Sequence, residues 1–323
     1  MLKKTLINQI RKNKSFLISS HVNLEGDALG SLLAMHELLR SLNKKVFVFC
    51  DDFPPKMYKF LIGPMKININ PKDAPEYDAA IILDSPQPER IGKILSAINR
   101  SKPIINIDHH ISNTNYADVN WVDSNASCVG EMIYQLYGKF GKKPNRYAAM
   151  GIYVAILTDT GSFRYENTTP SCLKTAGELL RFGIDPKEIA QKVYETKSYQ
   201  ETKLLGEVIS TLKLTPDKKI AYFYLTQDML RRTNAVLEDS ERFINFGRSI
   251  EGVEVAIFLR EKEKPNTTKI SLRSKGKVDV NKIAQIFGGG GHRAASGCEI
   301  KEPLKEAMNM VLANIRKEID KRQ

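Results

Sequence analysis

The sequence predicts an α/β protein: a parallel-sheet domain with helices on both faces, followed by a smaller α/β domain with a mixed sheet. Short apolar runs alternate with helical patterns through the first half, as in a parallel sheet covered by helices. Beyond about Ser210, strand-like runs follow one another with few helices between them, which is typical of an antiparallel or mixed sheet. The length of 323 residues also exceeds the usual size of one compact domain.

Four short apolar runs in the first half are predicted to be buried strands. They cover residues 15–19, 46–49, 79–83 and 103–107. Runs of this length that stay apolar throughout suit strands buried on both faces. Helical periodicity predicts helices between and after them, at residues 28–41, 90–99, 129–140, 147–158 and 171–181.

The boundary between the two domains is predicted from a helix stop. Residues 182–186 read Phe-Gly-Ile-Asp-Pro, a stop followed by a start signal, and the polar stretch after them is helical. We therefore expect a first domain at 1–185, a helical linker at 186–209 and a second domain at 210–323. In the second domain the runs STLKLT, KIAYFYLT, VEVAIFLREKE and TKISLRSK predict strands, and a basic helix is expected at the end.

Composition limits the class of protein. The 49 Lys and Arg against 37 Asp and Glu give a formal charge of +12, which attracts anionic ligands without choosing one. The four cysteines are far apart and lack the spacing of zinc fingers, so a reducing cytoplasm is the expected location. The basic N-terminus lacks the apolar core of a signal peptide, and no run approaches the roughly 20 residues of a bilayer span, so we expect no membrane association.

Acidic and histidine residues recur where predicted strands and helices end. The larger set consists of His21, Glu25, Asp27, Asp84, Asp108, His109, His110 and Asp159. Ligands bind at the carboxyl ends of strands in open α/β sheets, so these side chains should converge. A single loop aspartate is more often a cap or turn former. The conjunction, rich in oxygen ligands with some imidazole, favours Mn²⁺ or a similar ion over a thiolate zinc site.

A second cluster, GGGGHRAASG, follows a helix expected to begin near Val280. Successive glycines, among them Gly289, Gly290 and Gly291, let the backbone approach an anion and present N–H groups. His292 and Arg293 add donors that suit phosphate. We expect this segment to lie at the start of a helix, where anions are favoured.

These motifs together resemble the DHH phosphoesterase superfamily, in its two-domain subgroup with a DHH-associated domain. The motifs are HVNLEGDALGS, the triplet Asp108-His109-His110, TDTGSFRYENTTP and GGGGHRAASG, in that order. The most similar subgroup is that of the nanoRNases, oligoribonucleases that are also phosphatases of 3′-phosphoadenosine 5′-phosphate (pAp). The resemblance implies a Mn²⁺-dependent two-metal enzyme with its active site in the cleft between the domains.

The resemblance also assigns roles. One metal would be held by His21, Glu25 and Asp84, and the other by Asp27, Asp84, His109 and Asp159, with Asp84 bridging. Asp108 would orient His109, and His110 would face the substrate phosphate. A terminal phosphate or the nucleotide backbone would be bound by residues of the second domain: Arg273, Ser274, the glycine loop 289–291, His292 and Arg293.

The sequence departs from the family pattern at two positions, and alternatives stay open. Glu25 stands where the family usually has Asp, and Leu24 where it usually has Pro, which puts the geometry of the first metal in question. The implied partners are short RNA, pAp or dinucleotides, and a homodimer is left open. The alternatives are a phosphodiesterase for cyclic dinucleotides or pApA, and a nucleic-acid-binding protein of the same fold that has lost its chemistry.

Overall fold

The computed structural model describes residues 4–320 and divides into two compact units, one ending at Thr196 and the other beginning at Lys197. The division falls inside the segment predicted as a linker. Two separate helices, Pro186–Tyr194 and Tyr199–Ser210, occupy that segment, and one lies on each side of the division.

Between residues 4 and 196, the first unit contains six strands and six α-helices. The strands are β1 (Ser15–Ser20), β2 (Lys45–Phe49), β3 (Ile67–Asn68), β4 (Ala79–Leu83), β5 (Ile104–Asp108) and β6 (Val119–Val122). The helices are α1 (Lys4–Lys12), α2 (Gly26–Ser41), α3 (Val129–Lys139), α4 (Arg146–Asp159), α5 (Pro170–Leu179) and α6 (Pro186–Tyr194). Short 3₁₀ helices lie at Lys56–Leu61, Pro71–Asp73, Pro88–Ala97 and Leu180–Phe182. The four strands predicted in this half are confirmed to within one residue at each end.

The sheet of the first unit is parallel throughout, with strand order β3-β2-β1-β4-β5-β6. The chain leaves β1 toward one edge through β2 and β3, then returns to place β4 on the other side of β1. The order of the strands therefore reverses between β1 and β4. In open α/β sheets this switch point is where the loops diverge and leave a crevice at the carboxyl ends.

The two faces of this sheet are covered differently. On one face α1 to α6 bury a continuous apolar core, and α2 is so deeply buried that nearly every residue of its first three turns is covered. On the other face a separate apolar cluster covers the strands, and its buried side chains include Tyr77, Ile91, Ile94 and Ile98. The α-helix expected at residues 90–99 is instead the 3₁₀ helix Pro88–Ala97, which is interrupted where Gly92 takes a φ of 67°.

Helices α2 and α4 cross in direct backbone contact. A Cβ atom on Gly30 would lie 2.3 Å from the carbonyl oxygen of Gly151, and one on Gly151 would lie 2.5 Å from that of Gly30. Only glycine on both helices permits this approach. The crossing brings the start of α2 and the end of α4 to the same rim of the sheet.

The second unit is built around a mixed six-stranded sheet. Its strands are β7 (Lys213–Leu214), β8 (Ile220–Leu225), β9 (Val255–Glu261), β10 (Thr268–Ser274), β11 (Gly290–His292) and β12 (Ala295–Ile300). Its helices are α7 (Tyr199–Ser210), α8 (Gln227–Thr233), α9 (Ile244–Ser249), α10 (Val280–Ile286) and α11 (Leu304–Asp320), with a 3₁₀ helix at Leu237–Ser240. The strand order is β11-β12-β10-β9-β8-β7, and only the β8–β9 pair is parallel.

Each face of the second sheet has its own core. Helices α10 and α11 pack on the face that carries Ile270 and Leu272. Helices α7, α8 and α9 pack on part of the opposite face, against Phe223 and Phe258. In the described range 4–320, no helix is both long enough and apolar enough to cross a membrane.

The glycine motif differs from its prediction. Residues 288–297 do not begin a helix; Gly290–His292 and Ala295–Ile300 form an antiparallel hairpin at the edge of the sheet. Helix α10, which begins at Val280 as expected, ends before it. Pairing of β12 with β10 over six residue pairs fixes the segment as strand, a long-range contact that a local pattern of glycine, alanine and serine does not reveal.

Candidate metal centre

Asp84 is the centre of the cluster predicted from the strand ends. It follows β4 directly, is 0% exposed and has a φ of 54°. Its Oδ2 lies 3.3 Å from Nε2 of His21, and its Oδ1 lies 3.7 Å from Nε2 of His109 and 3.5 Å from Nδ1 of His110. None of these approaches is a well-formed hydrogen bond, and among the described residues neither carboxylate oxygen has another partner.

The environment of Asp84 fits a divalent cation. A buried carboxylate without hydrogen bonds is costly, and a left-handed backbone at a residue other than glycine adds strain. Such a residue persists where function requires it, and nitrogen atoms that surround a carboxylate at more than 3 Å leave room for an ion between them. The observation therefore favours a metal site over a structural ion pair.

Two histidines present Nε2 to this site because their Nδ1 atoms face backbone carbonyls. Nδ1 of His21 lies 2.6 Å from the oxygen of Val22, and Nδ1 of His109 lies 3.3 Å from that of Ala126. An Nδ1–H that donates to a carbonyl fixes the tautomer and leaves the lone pair on Nε2 free for a metal. The site thus has two oriented imidazole ligands.

The expected contact of Asp108 with His109 is wrong. Oδ1 of Asp108 accepts a hydrogen bond from Nδ1 of His110 at 2.7 Å. Because side chains alternate along the extended end of β5, the residue two positions away returns to the side of Asp108, whereas the adjacent one does not. Asp108 therefore orients His110.

The predicted ligands form two groups of neighbouring atoms. His21, Glu25 and Asp84 offer one atom each within 4.8 Å of one another, and so do Asp27, His109 and Asp159. A further group within the same limit consists of Asp84, Asp108 and His110. The side chain of Glu25 is 55% exposed and its Oε1 is 3.9 Å from Nε2 of His21, so it is the least enclosed member.

Asp27 is fixed by the first turns of two helices. Asp27 lies in the first turn of α2. Its Oδ1 accepts hydrogen bonds from the Ser31 hydroxyl at 2.8 Å and the Gly130 amide at 3.0 Å. Its Oδ2 accepts from the Val129 amide at 2.8 Å. These amides belong to the first turn of α3, whose unsatisfied N–H groups favour an anion.

The electrostatics of the cluster indicate a shortage of positive charge. Burial, with the nearby charge of Asp84, raises the pKa of Asp27 to about 7. Burial and the charges of Asp27 and Glu25 raise the pKa of Asp159 well above its usual range. Burial alone would lower the pKa of His21, but its interaction with Asp84 raises it to about 9. The carboxylates thus repel one another and attract a proton to His21, and a bound cation would supply the missing positive charge.

Sequence reasoning missed a network of asparagines beside the cluster. Nδ2 of Asn113 donates to Oδ2 of Asp108 at 2.5 Å and to Oδ1 of Asn106 at 2.8 Å. Asn106, fully buried on β5, donates in turn to the Tyr116 hydroxyl and to backbone carbonyls. The available signal was the single polar residue inside the apolar run IINI.

A further asparagine contacts the last ligand. Nδ2 of Asn167 lies 3.3 Å from Oδ2 of Asp159, 3.2 Å from its backbone oxygen and 2.9 Å from the backbone oxygen of Ser127. The loop after α4 therefore folds back on the carboxylate that ends this helix. Asn167 lies inside the quoted TDTGSFRYENTTP motif, but its amide gave no separate signal.

The residues predicted in the second unit do not all lie on one face. In the ladder β10–β12–β11, Arg273 pairs with Ala295 and Ala295 with His292, so Arg273 and His292 project from the same face. Ser274 projects from the other face, is buried, and accepts a hydrogen bond from the Gly276 amide. Arg293 is exposed in the turn of the hairpin.

Two of the predicted glycines have a structural reason. A Cβ on Gly289 would lie 2.2 Å from the carbonyl oxygen of Gly297. Gly291 has a φ of 143°, and a Cβ there would lie 2.5 Å from the carbonyl oxygen of Ala295. The hairpin itself therefore requires these glycines, while a Cβ on Gly290 would come no closer than 3.9 Å to another atom, Oδ1 of Asn281.

A six-stranded parallel sheet with carboxylates and imidazoles at its switch point, joined to a domain with a glycine hairpin, is the arrangement of a metal-dependent phosphoesterase. The family model described as "DHH family, N-terminal domain" matches residues 15–156, and that of the DHHA1 domain matches residues 217–321. The chain belongs to the DHH phosphoesterase family, and its fold class is confirmed.

Named relatives extend over nearly the whole chain. It is 32% identical to the bifunctional oligoribonuclease and PAP phosphatase NrnA of Thermus thermophilus, covering 94% of this chain and 89% of that protein. It is also 32% identical to the Bacillus subtilis protein of that name, covering 93% of each. The crystal structure of an exopolyphosphatase-related protein from Bacteroides fragilis superposes with a TM-score of 0.90 at 30% identity, covering 98% of both chains.

Proposed function

We propose that this protein is a Mn²⁺-dependent, two-metal phosphoesterase that hydrolyses short oligoribonucleotides to mononucleotides and dephosphorylates pAp. The observation that carries the proposal is the bare, buried carboxylate of Asp84, which belongs to one group of ligand atoms and lies 3.7 Å from His109 of the other. The substrates are supported by the names of the relatives, which extend over both units.

In this proposal each ligand group holds one cation. His21, Glu25 and Asp84 would hold the first, and Asp27, Asp84, His109 and Asp159 the second, with Asp84 shared. When bound, a metal pair supplies an activated water nucleophile and neutralises charge on the phosphoryl oxygens. Four carboxylates with two imidazoles suit Mn²⁺. Glu25, exposed and one methylene longer than Asp, makes the first site the weaker one.

His110 would contact the substrate, and Asp108 would act on it only through His110. Burial lowers the pKa of His110, but the hydrogen bond from its Nδ1 to Asp108 and the charge of Asp84 raise it overall. A raised pKa increases the share of the imidazolium, and the Nε2–H of that form could donate to a phosphoryl oxygen of the substrate. Asp108 holds the ring in place, and Asn113 holds Asp108.

The second unit carries groups that would bind a phosphate of the substrate. Arg273 and His292 project from the same face of its sheet, and Arg293 is exposed in the adjoining turn. Guanidinium and imidazole donors at a glycine hairpin suit a terminal phosphate. Since the hydroxyl of Ser274 faces the core, we omit it from this set.

The reducing cytoplasm is part of the same proposal. All four cysteines are free and buried, which suits a protein that does not depend on disulfides.

The decisive experiment measures initial rates on pAp, 5′-phosphorylated di- to pentaadenylates, pApA and cyclic di-AMP, with Mn²⁺ or Mg²⁺. We expect Mn²⁺-stimulated release of AMP from pAp and from the short oligonucleotides. Asp84→Asn keeps the size and backbone preference of the residue, and should lower the rate by about 10³-fold or more, as loss of a central electrostatic group does. Asp73→Asn, an exposed aspartate of the same unit, is the matched control.

Two outcomes would contradict the proposal. One is a parent protein that binds RNA but hydrolyses neither substrate with either metal, which would favour the inactive nucleic-acid-binding alternative. The other is an Asp84→Asn variant as active as the parent. Preference for cyclic di-AMP would instead support the dinucleotide phosphodiesterase.

A further inference from the structure

Two basic side chains lie directly opposite each other on the sheet of the second unit. Lys269 of β10 pairs with Arg260 of β9, and residues paired in this way project from the same face. Like charges in this position destabilise a sheet. Glu299, the partner of Lys269 on β12, forms its ion pair with Lys262 at 3.3 Å instead. Among residues 4–320, the carboxylates whose charges act on both Lys269 and Arg260 are those of Glu238 and Glu241.

Arg260 is unusually buried for an arginine. It is 3% exposed, one of its Nη atoms donates to the Ser271 hydroxyl at 2.9 Å, and its guanidinium lies 5.5 Å from the ring centroid of Phe258. Its Nε is buried and has no partner in the described part of the chain. A buried cation with an unused donor costs free energy, and replacement by an apolar residue of similar size is often neutral or stabilising. Stability therefore does not explain its presence.

Charges of both signs surround this pair. Burial lowers the pKa of Arg260; Glu241 and Glu238 oppose this, while Arg273 adds to it, and the pKa remains below its ordinary value. Burial and the charge of Arg260 likewise lower the pKa of Lys269. Burial is the largest cause of both shifts, and an anion bound beside the pair would offset this burial of positive charge.

The pair continues the row of residues proposed to hold the terminal phosphate. Lys269, Ser271 and Arg273 alternate along β10 on one face, and Arg260 reaches Ser271 from the neighbouring strand. This part of the face lies beyond the core formed by α7, α8 and α9, and Lys269, Ser271 and Arg273 are half-buried. Lys269 and Ser271 can contact a ligand, while Arg260 supports them from beneath.

We propose that Lys269 and Arg260 form a second anion site that binds a further phosphate of an oligonucleotide, next to the phosphate held at Arg273 and the glycine hairpin. The inference rests on the proposed function and names the substrate class of this site as single-stranded phosphodiesters of three or more nucleotides. pAp has one phosphate to be hydrolysed and one to be held at Arg273, so it has none left for the second site.

The first test is Lys269→Met, assayed with pApApA and with pAp. We expect the KM for pApApA to rise about tenfold, the effect of one charge-assisted contact, while kcat and the KM for pAp stay unchanged. The salt dependence of log KM for pApApA should weaken by about 0.7, the value for one phosphate contact on a single strand. Isothermal titration of pApApA in EDTA, where no hydrolysis occurs, should show the same loss of affinity. Lys317→Met, exposed on α11 behind the opposite face, removes the same charge and should change none of these values.

The second test is Arg260→Met. The thermal midpoint is expected to equal or exceed that of the parent, because an uncompensated buried cation is removed, while the affinity for pApApA in EDTA falls. A lower midpoint with unchanged pApApA affinity would make Arg260 a structural residue and overturn the inference.

The Lys269→Met variant tests the second anion site even if the Arg260 variant fails to fold. Unchanged pApApA affinity, or an equal loss for pApApA and pAp, would overturn the second site while leaving the proposed function standing. A parent protein that hydrolyses neither substrate would overturn the proposed function, and affinity in EDTA would still report on the anion site.

Discussion

Replacing Gly30 with alanine tests whether the crossing of α2 and α4 sets the geometry of the metal centre. A Cβ at this position would lie 2.3 Å from the carbonyl oxygen of Gly151, while ordinary van der Waals contact begins near 3.4 Å. The helices must therefore separate by about 1 Å, an overpacking that typically costs about 1–3 kcal/mol. The better helix propensity of alanine offsets roughly 0.5–1 kcal/mol of this cost, so we expect a net loss of roughly 0–2.5 kcal/mol.

The same movement should affect chemistry. Helix α2 carries Asp27 and α4 carries Asp159, which belong to one group of candidate ligands. A misplacement of about 1 Å at a reacting centre can cost about 10²-fold in rate. Urea unfolding in EDTA measures the first effect, and Mn²⁺-dependent hydrolysis of pAp measures the second.

Gly177→Ala is the matched control. This glycine lies inside α5, and a Cβ there would meet nothing within 4 Å. It should gain about 0.5–1 kcal/mol of stability and keep full activity. If Gly30→Ala matched the parent in both stability and rate, the argument that close backbone contact positions these two carboxylates would be refuted.

Three further results are expected. Asn113→Ala leaves a buried oxygen of Asp108 without its donor. The free energy of unfolding, measured by urea titration, should fall by about 1–3 kcal/mol. In steady-state kinetics, kcat should fall by about 10–100-fold with little change in KM. Burial raises the pKa of Glu37, but hydrogen bonds from His36 and Asn145 lower it overall below its ordinary 4.5. The ionised Glu37 therefore stabilises the fold above pH 4.5. This stabilisation is lost as the pH falls through the pKa of Glu37 in the folded protein. Urea titrations from pH 3 to 7 should therefore show Glu37→Gln less stable than the parent at neutral pH, with the difference shrinking in acid; a constant difference would contradict this. Mn²⁺ at a hundredfold excess over its dissociation constant should stabilise the parent by about 2.7 kcal/mol, and a thermal midpoint that ignores Mn²⁺ would argue against the site.

Much of the fold could be predicted because its signals are local. The run AAIIL at 79–83 became β4 without any shift, since a short apolar stretch between polar segments has few other uses. The strand Val119–Val122 was missed because VNWV is short and mixes polar with apolar residues, so that only pairing with β5 defines it. The hairpin at 288–297 was missed for the same reason: glycine removes the pattern on which a local prediction depends.

The sequence predicted the members of the candidate site, but it did not predict all of their hydrogen-bond partners. A histidine or aspartate directly after β1, β4 and β5 had to arrive at one rim, and His21, Asp84 and His109 do so. The partner of Asp108 could not be inferred from adjacency, because the direction of each side chain depends on where β5 ends. Asn113 and Asn167 contact the site through side-chain amides, and their spacing in the sequence does not predict these contacts.

The Asp27 carboxylate accepts hydrogen bonds from the amides of Val129 and Gly130. It is therefore both a candidate ligand and the anchor of a helix about a hundred positions later in the chain. Exchange of these two amide protons with solvent should therefore slow when Mn²⁺ is added and speed up under chelation. Occupancy of the centre could then be followed by isotope labelling of backbone hydrogens alone, without substrate.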